Sequence, residues 1–225
     1  MPGREIPLVT NQFYHVLNRG VGSQPIFLGK KDYQRMWDSV FYYQNQKPTL
    51  SYSHFLRLPS KQRVEFLERL QDQSKFLVKI ITLCLLPSHF HLLLEQVNDN
   101  GISLFMANLT NSYTRYFNTK NERTGHLFQG KFKAVMIETD EQLLHVSRYI
   151  HLNPYSSYLV KDLNQLNIYP YSSLPEYLGI SSTNFFQKEI ILGQFKSISA
   201  YKQFVFDQAD YQRSLEQIKH LALER

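Results

Sequence analysis

From Phe76 to Leu86 the chain is almost continuously apolar and rich in Val, Ile and Thr. After a break at Pro87-Ser88 the apolar pattern resumes from His89 to Glu95. Such a pattern predicts two strands joined as a hairpin, the first of them a central strand. Upstream, Phe13 to Arg19 reads as a strand closed by Gly20 and Gly22, followed by the short apolar connection Pro25-Ile26-Phe27-Leu28. Lys31 to Tyr43 sets Tyr33, Met36, Trp37, Val40 and Phe41 at helical spacing, and Ser60 to Asp72 does the same with Val64, Phe66, Leu67 and Leu70. Asn98-Asp99-Asn100-Gly101 is a turn cluster, after which Ile102 to Phe117 reads as a helix. Beyond the polar loop Thr119 to Gly125, Lys131 to Glu138 alternates as a strand, with Phe132, Ala134 and Met136 on one face and Lys131, Lys133 and Val135 on the other. Thr139-Asp140 followed by Glu141-Gln142 marks a capped helix start. That helix carries Leu143, Leu144, Val146 and Tyr149 and is expected to stop at Asn153-Pro154.

Past Pro154 the character changes. Tyr155 to Leu178 is loop-like, with Pro170, Ser172, Ser173 and Pro175, and Ser181 to Arg225 is mostly helical in pattern. No repeat or low-complexity segment is visible. The expected fold is α+β, a central antiparallel sheet with helices packed on its faces. It should occupy residues 1–157, with a mainly helical C-terminal extension, 158–225, packed on it.

Composition adds a bias. Hydrophobic residues make up 43% of the 225, enough for a real core, and 25 Lys+Arg against 19 Asp+Glu give a net charge of +6. A moderate basic excess suits a polyanionic partner. Fifteen Tyr and sixteen Phe supply core packing and, at the surface, base stacking. The single Cys84 excludes an intramolecular disulfide and suits a reducing compartment. Met1 to Pro7 has no signal-like apolar region, and no run of 18 apolar residues exists, so a soluble cytoplasmic protein without a membrane span is expected.

The chemistry concentrates in two short stretches. In Leu86-Pro87-Ser88-His89-Phe90-His91-Leu92-Leu93-Leu94-Glu95, strand alternation points His89 and His91 to one face and Phe90, Leu92 and Leu94 to the other. In Tyr149-Ile150-His151-Leu152-Asn153-Pro154, the i, i+4 spacing puts Tyr149 and Asn153 on one helix face. Two imidazoles, an amide oxygen and a phenol make a metal site with a nucleophile beside it. Ordinary roles stand next to each reading. Strand histidines can be satisfied by neighbours, Asn153 can cap a helix C-terminus, and Tyr113 and Tyr116 are rival phenols or simply packing residues. His145 and His151 read as structural or surface groups. A zinc site of Cys84, His89 and His91 lacks a fourth ligand in the sequence. Arg115, Arg123, Lys131, Lys133 and Arg148 form either a solvated basic face or a phosphate-binding groove.

A strand His-hydrophobe-His followed by a helical Tyr-x-x-x-Asn/Gln resembles the HUH single-strand DNA nucleases. The surrounding sequence resembles their single-tyrosine transposase branch, the REP-associated tyrosine transposases and IS200-like proteins. The matching stretches are Tyr14 to Gly20, Leu86 to Leu94, Gly125 to Lys133 and Arg148 to Pro154, in the family's order. The resemblance implies an HUH, ferredoxin-like fold. It also implies a metal-dependent single-stranded DNA endonuclease and strand transferase, with Tyr149 as nucleophile forming a 5′-phosphotyrosine bond at hairpin-associated sites. Mg²⁺ or Mn²⁺ would sit on His89, His91 and Asn153, and Arg115, Lys131, Lys133 and Arg148 would contact the DNA. A homodimer is possible within this family. Two other classes stay open: a nucleic-acid-binding protein that has lost catalysis, and a metal-dependent hydrolase that works without covalent chemistry.

Overall fold

The computed structural model describes residues 7–46, 48–70 and 72–215. The Met1–Ile6 part of the leader reading and the 216–225 part of the helical C-terminal pattern therefore lie outside the described residues. Four strands form one antiparallel sheet: β1 (Phe13–Arg19), β2 (Val78–Leu86), β3 (His89–Gln96) and β4 (Lys133–Ile137), in the order β2-β3-β1-β4. The helices are α1 (Lys30–Tyr43), α2 (Tyr52–Phe55), α3 (Ser60–Leu70), α4 (Gly101–Lys120), α5 (Asp140–Ser156), α6 (Leu174–Tyr177), α7 (Glu189–Leu192) and α8 (Ile198–Phe206). The α+β reading holds, and the strand and helix limits up to α5 fall within a few residues of the sequence pattern.

The chain groups into two compact units. The first comprises residues up to 79, with 87–89 and 94–136; the second comprises 80–86, 90–93 and 137 onward. In the first unit α1 packs on α4. The fully buried Asp32 of α1 accepts from the Leu28 amide at 2.9 Å, from the Tyr116 hydroxyl at 2.9 Å and from the Lys120 ammonium. A buried carboxylate needs such partners, because desolvation without them is costly. Arg35 lies 4.4 Å from the Tyr52 ring centroid and donates to Ser53, and Tyr42 packs against Tyr52, Phe55 and Phe66 in an aromatic cluster. Helix α4 begins at Gly101 for a steric reason: a Cβ there would lie 2.2 Å from the Leu77 carbonyl oxygen.

In the second unit the structure corrects the expectation that β2 is a central strand, for it lies at the sheet margin. Its apolar run is nonetheless explained. Every residue from Ile80 to Leu86 is buried, because the segment that follows α5 lies along the open edge. The Leu85 amide donates to the Tyr171 carbonyl at 2.8 Å, the Ser173 amide to the Leu83 carbonyl at 2.9 Å, and the Gln187 amide to the Ile80 carbonyl at 2.9 Å. The hydroxyls of Tyr169 and Tyr177 donate to the Leu85 and Ile81 carbonyls, each at 2.9 Å. An edge strand satisfied in this way is shielded from pairing with another chain.

Helix α5 starts as its sequence predicts. The Thr139 hydroxyl accepts from the Gln142 amide, and the Gln142 side chain accepts from the Glu138 amide. Its end is the second correction. The helix runs through Pro154 to Ser156, and Ser157 caps it by donating its amide to the Asn153 carbonyl at 2.9 Å. Proline removes the ladder bond to the Ile150 carbonyl without forbidding another turn. That turn is held from outside, as described below. Asn153 is thus an interior helix residue and not the cap.

Candidate functional site

Strand β3 places His89 and His91 on one face by alternation. His91 is only 4% exposed, between fully buried Phe90 and Leu92, while His89 is half-buried with its Nδ1 3.0 Å from the Ser88 hydroxyl. Helix α5 brings Tyr149 to this strand. The rings of His91 and Tyr149 stand perpendicular, with centroids 5.6 Å apart and an interplanar angle of 84°. Tyr149 is half-buried. One turn on, buried Asn153 donates its Nδ2 to the Tyr149 carbonyl at 3.0 Å. With its nitrogen donated to that carbonyl, Asn153 keeps its oxygen Oδ1 as an acceptor.

The rival phenols are committed elsewhere. Tyr113 is fully buried, donates its hydroxyl to the Ile26 carbonyl at 2.6 Å, and has its ionisation pushed far up by burial. The Tyr116 hydroxyl donates to Asp32, and burial first, then that bond, raise its pKa to about 12. Both take the packing role. His151 is also structural. It is fully buried, with Nδ1 2.8 Å from the Tyr201 hydroxyl and Nε2 2.7 Å from the Ser173 hydroxyl, and burial lowers its pKa to about 3. The Tyr201 hydroxyl continues to Ser147 at 2.8 Å, and Ser173 accepts from the Leu83 amide. This chain of neutral groups ties α5 to α8 and to β2. Cys84 is buried beside the Ser172 bridge with its thiol pushed well up, out of the thiolate form that binds metal. Among the described residues no group of three or more His, Cys, Asp or Glu side chains gathers.

Residues 58–153 match the family model of the IS200-like transposases. The matched stretch contains His89, His91, Tyr149 and Asn153. Over this stretch the chain is similar to the IS200-like transposases. A solved structure described as a REP-associated tyrosine transposase bound to a REP hairpin superposes on this chain with a TM-score of 0.53. The two are 12% identical, and the match covers 83% of this chain and 98% of that one. At that identity the likeness is one of fold. No curated protein matches the chain.

The basic candidates divide in two. Arg115, Lys131 and Lys133 are exposed. Lys131 and Lys133 follow a loop anchored by buried Leu127 and Phe128, whose backbone bonds to Arg19 and Val21, and Gly130 turns it at a φ of +70°. Arg148 is half-buried instead: its guanidinium lies 4.4 Å from the Phe204 ring centroid, donates to the Phe204 carbonyl and meets His145 at 2.7 Å. Sequence spacing could not reveal that α8 would draw Arg148 inward. It also missed Gln212, whose Nε2 donates to the Tyr149 carbonyl at 3.1 Å from 63 residues away. No motif surrounds Gln212, so no signal could have singled it out. No described helix is long and apolar enough to cross a membrane.

Proposed function

We propose that this protein is a transposase that cleaves and rejoins single-stranded DNA through Tyr149. The observation that carries the reading is the pairing of Tyr149 with the buried His91, in a chain whose rival phenols are bonded away. The Tyr149 hydroxyl oxygen attacks the scissile phosphorus, the bond to the 3′ oxygen breaks, and the chain is left on a 5′-phosphotyrosine linkage. The phenol gives up its proton and the departing 3′ oxygen takes one up. Because the linkage conserves the phosphodiester, attack by another 3′-hydroxyl reverses the step and joins strands.

By the chemistry of their donors, these residues are proposed to hold a divalent cation. His89 and His91 offer imidazole nitrogens from one strand face, and Asn153 offers an amide oxygen. Nitrogen donors favour Mn²⁺, while positions left to water and phosphate oxygens admit Mg²⁺. A bound ion would polarise the scissile phosphate and offset charge on the leaving oxygen. The phosphate backbone is proposed to be met by Arg115, Lys131 and Lys133, with Arg148 holding α5 in place and bordering the DNA. The solved relative's REP hairpin supports a substrate in which a hairpin flanks the single strand.

The test is a pool of single-stranded hairpin oligonucleotides incubated with the protein and Mn²⁺ or Mg²⁺, followed by denaturing electrophoresis. A protein–DNA band that survives denaturation supports the reading. Strand cleavage without such a band would point to a hydrolase, and binding with neither would point to a binding protein.

A further inference from the structure

Resting on that reading, we infer that Gln212 is a positioning residue for Tyr149, and that the helical stretch over 209–215 belongs to the catalytic apparatus as its external brace. The turn of α5 that bears Tyr149 and Asn153 is weakened from within, because Pro154 supplies no amide to the ladder. Three side chains from the 209–215 stretch hold α5 from outside on either side of that gap. Gln212, 9% exposed, donates Nε2 to the Tyr149 carbonyl at 3.1 Å and lies 3.3 Å from the Ser156 hydroxyl. Arg213 donates to the Tyr155 carbonyl from Nε at 3.1 Å and from a terminal nitrogen at 2.8 Å, and also reaches the Val160 carbonyl at 3.1 Å. It thereby satisfies carbonyls at the helix end, where cationic donors are favoured. Asp210 accepts the Tyr155 hydroxyl at 2.9 Å.

Gln212 is the one of the three that touches the tyrosine's own peptide group. The Tyr149 carbonyl receives both Gln212 Nε2 and Asn153 Nδ2. These two donors hold the peptide group of the residue that carries the phenol, and one of them sets the orientation of the Asn153 amide. A purely structural brace could have used any carbonyl of α5. This one acts on the two positions at which attack and ion binding are proposed. Because in-line attack tolerates little misplacement, loosening the turn should slow the chemical step more than it weakens DNA binding.

The discriminating variant is Gln212→Glu, which keeps length and shape but sets an acceptor against the Tyr149 carbonyl. Gln212→Lys restores a donor. With a hairpin oligonucleotide and Mn²⁺, the single-turnover rate of adduct formation in Gln212→Glu should fall on the order of 10- to 100-fold, with DNA Kd unchanged within about twofold. Gln212→Lys should recover part of the rate. An unchanged rate in Gln212→Glu, or a loss fully matched by weaker DNA binding, would overturn the inference while leaving Tyr149 chemistry intact. If Gln212→Glu does not fold, comparing Gln212→Ala with Gln212→Lys makes the same distinction, since only the second keeps a donor. Absence of adduct in the unmodified protein would instead overturn the Tyr149 reading, and this inference with it.

Discussion

The Tyr149 ring stands at 84° to the imidazole of His91, 5.6 Å away between centroids. This edge-on contact between a phenol and a histidine of the strand pair, on a helix that Gln212 also holds from outside, is the arrangement on which the proposed chemistry rests. Four outcomes follow from this arrangement and from the elements that support it.

Tyr149→Phe should retain the thermal transition and DNA affinity and lose the denaturation-resistant adduct. Tyr113→Phe should do the reverse. It leaves the Ile26 carbonyl without its buried donor, at a cost of about 1–3 kcal/mol in stability, and keeps the adduct. Denaturant unfolding and adduct electrophoresis on both variants check the pair, and adduct formation by Tyr149→Phe would show that another residue attacks.

His91→Ala should abolish cleavage at a fixed Mn²⁺ concentration while leaving DNA affinity largely intact, since affinity comes mainly from phosphate contacts. Mn²⁺ binding, followed by calorimetry, should also weaken on acidification, because a protonated ring cannot coordinate. Full cleavage in EDTA would remove the ion from the mechanism.

Binding should favour single strands, or hairpins with single-stranded flanks, over blunt duplex, and should fall with salt. Replacing Lys131 or Lys133 with Ala should flatten the slope of log affinity against log salt by roughly 0.7 unit each if the residue touches a single-strand phosphate. Arg148→Ala should instead lower thermal stability, because its guanidinium is spent on Phe204 and His145. Salt titrations with matched oligonucleotides decide. Equal affinity for all three forms would rule out the basic groove as the single-strand site.

Acid should destabilise the protein through His151. Its folded-state pKa, lowered to about 3 by burial, lies below the ordinary value of 6.5. The unfolded chain therefore binds the extra proton between those two values. Stability from this group is complete above about pH 6.5 and is lost as pH falls toward 3, at up to about 1.4 kcal/mol per pH unit. Melting temperatures between pH 7 and 5 should fall more steeply for the unmodified protein than for His151→Gln, whatever the starting stability of the variant. Parallel slopes would show that His151 is not the responsible group.

Much of this was legible from residue order alone. The limits of β1, the β2–β3 hairpin and the cap of α5 follow from alternation, turn residues and side-chain capping, which are local signals. The His89, His91, Tyr149 and Asn153 pattern is likewise a spacing on one strand and one helix. What could not be read is long-range. The burial of β2 looks the same in sequence whether strands flank it on both sides or, as here, residues 169–187 cover one edge. The turn beyond Pro154 depends on Gln212 and Arg213, which lie more than 50 residues downstream. Arg148 sits beside the tyrosine in sequence, yet α8 decides where its charge goes.

The cover over β2 also sets an order of events during synthesis. Ser173 is made 90 residues after Leu83. At ~5–20 residues per second the ribosome takes roughly 5–20 s to supply it. For that interval the nascent hairpin carries a row of bare amides and carbonyls on an apolar strand, the kind of surface on which neighbouring chains on a polysome adhere. The tail of this protein therefore completes its folding in time as well as in space: until it emerges, the newborn chain needs shelter from its own siblings.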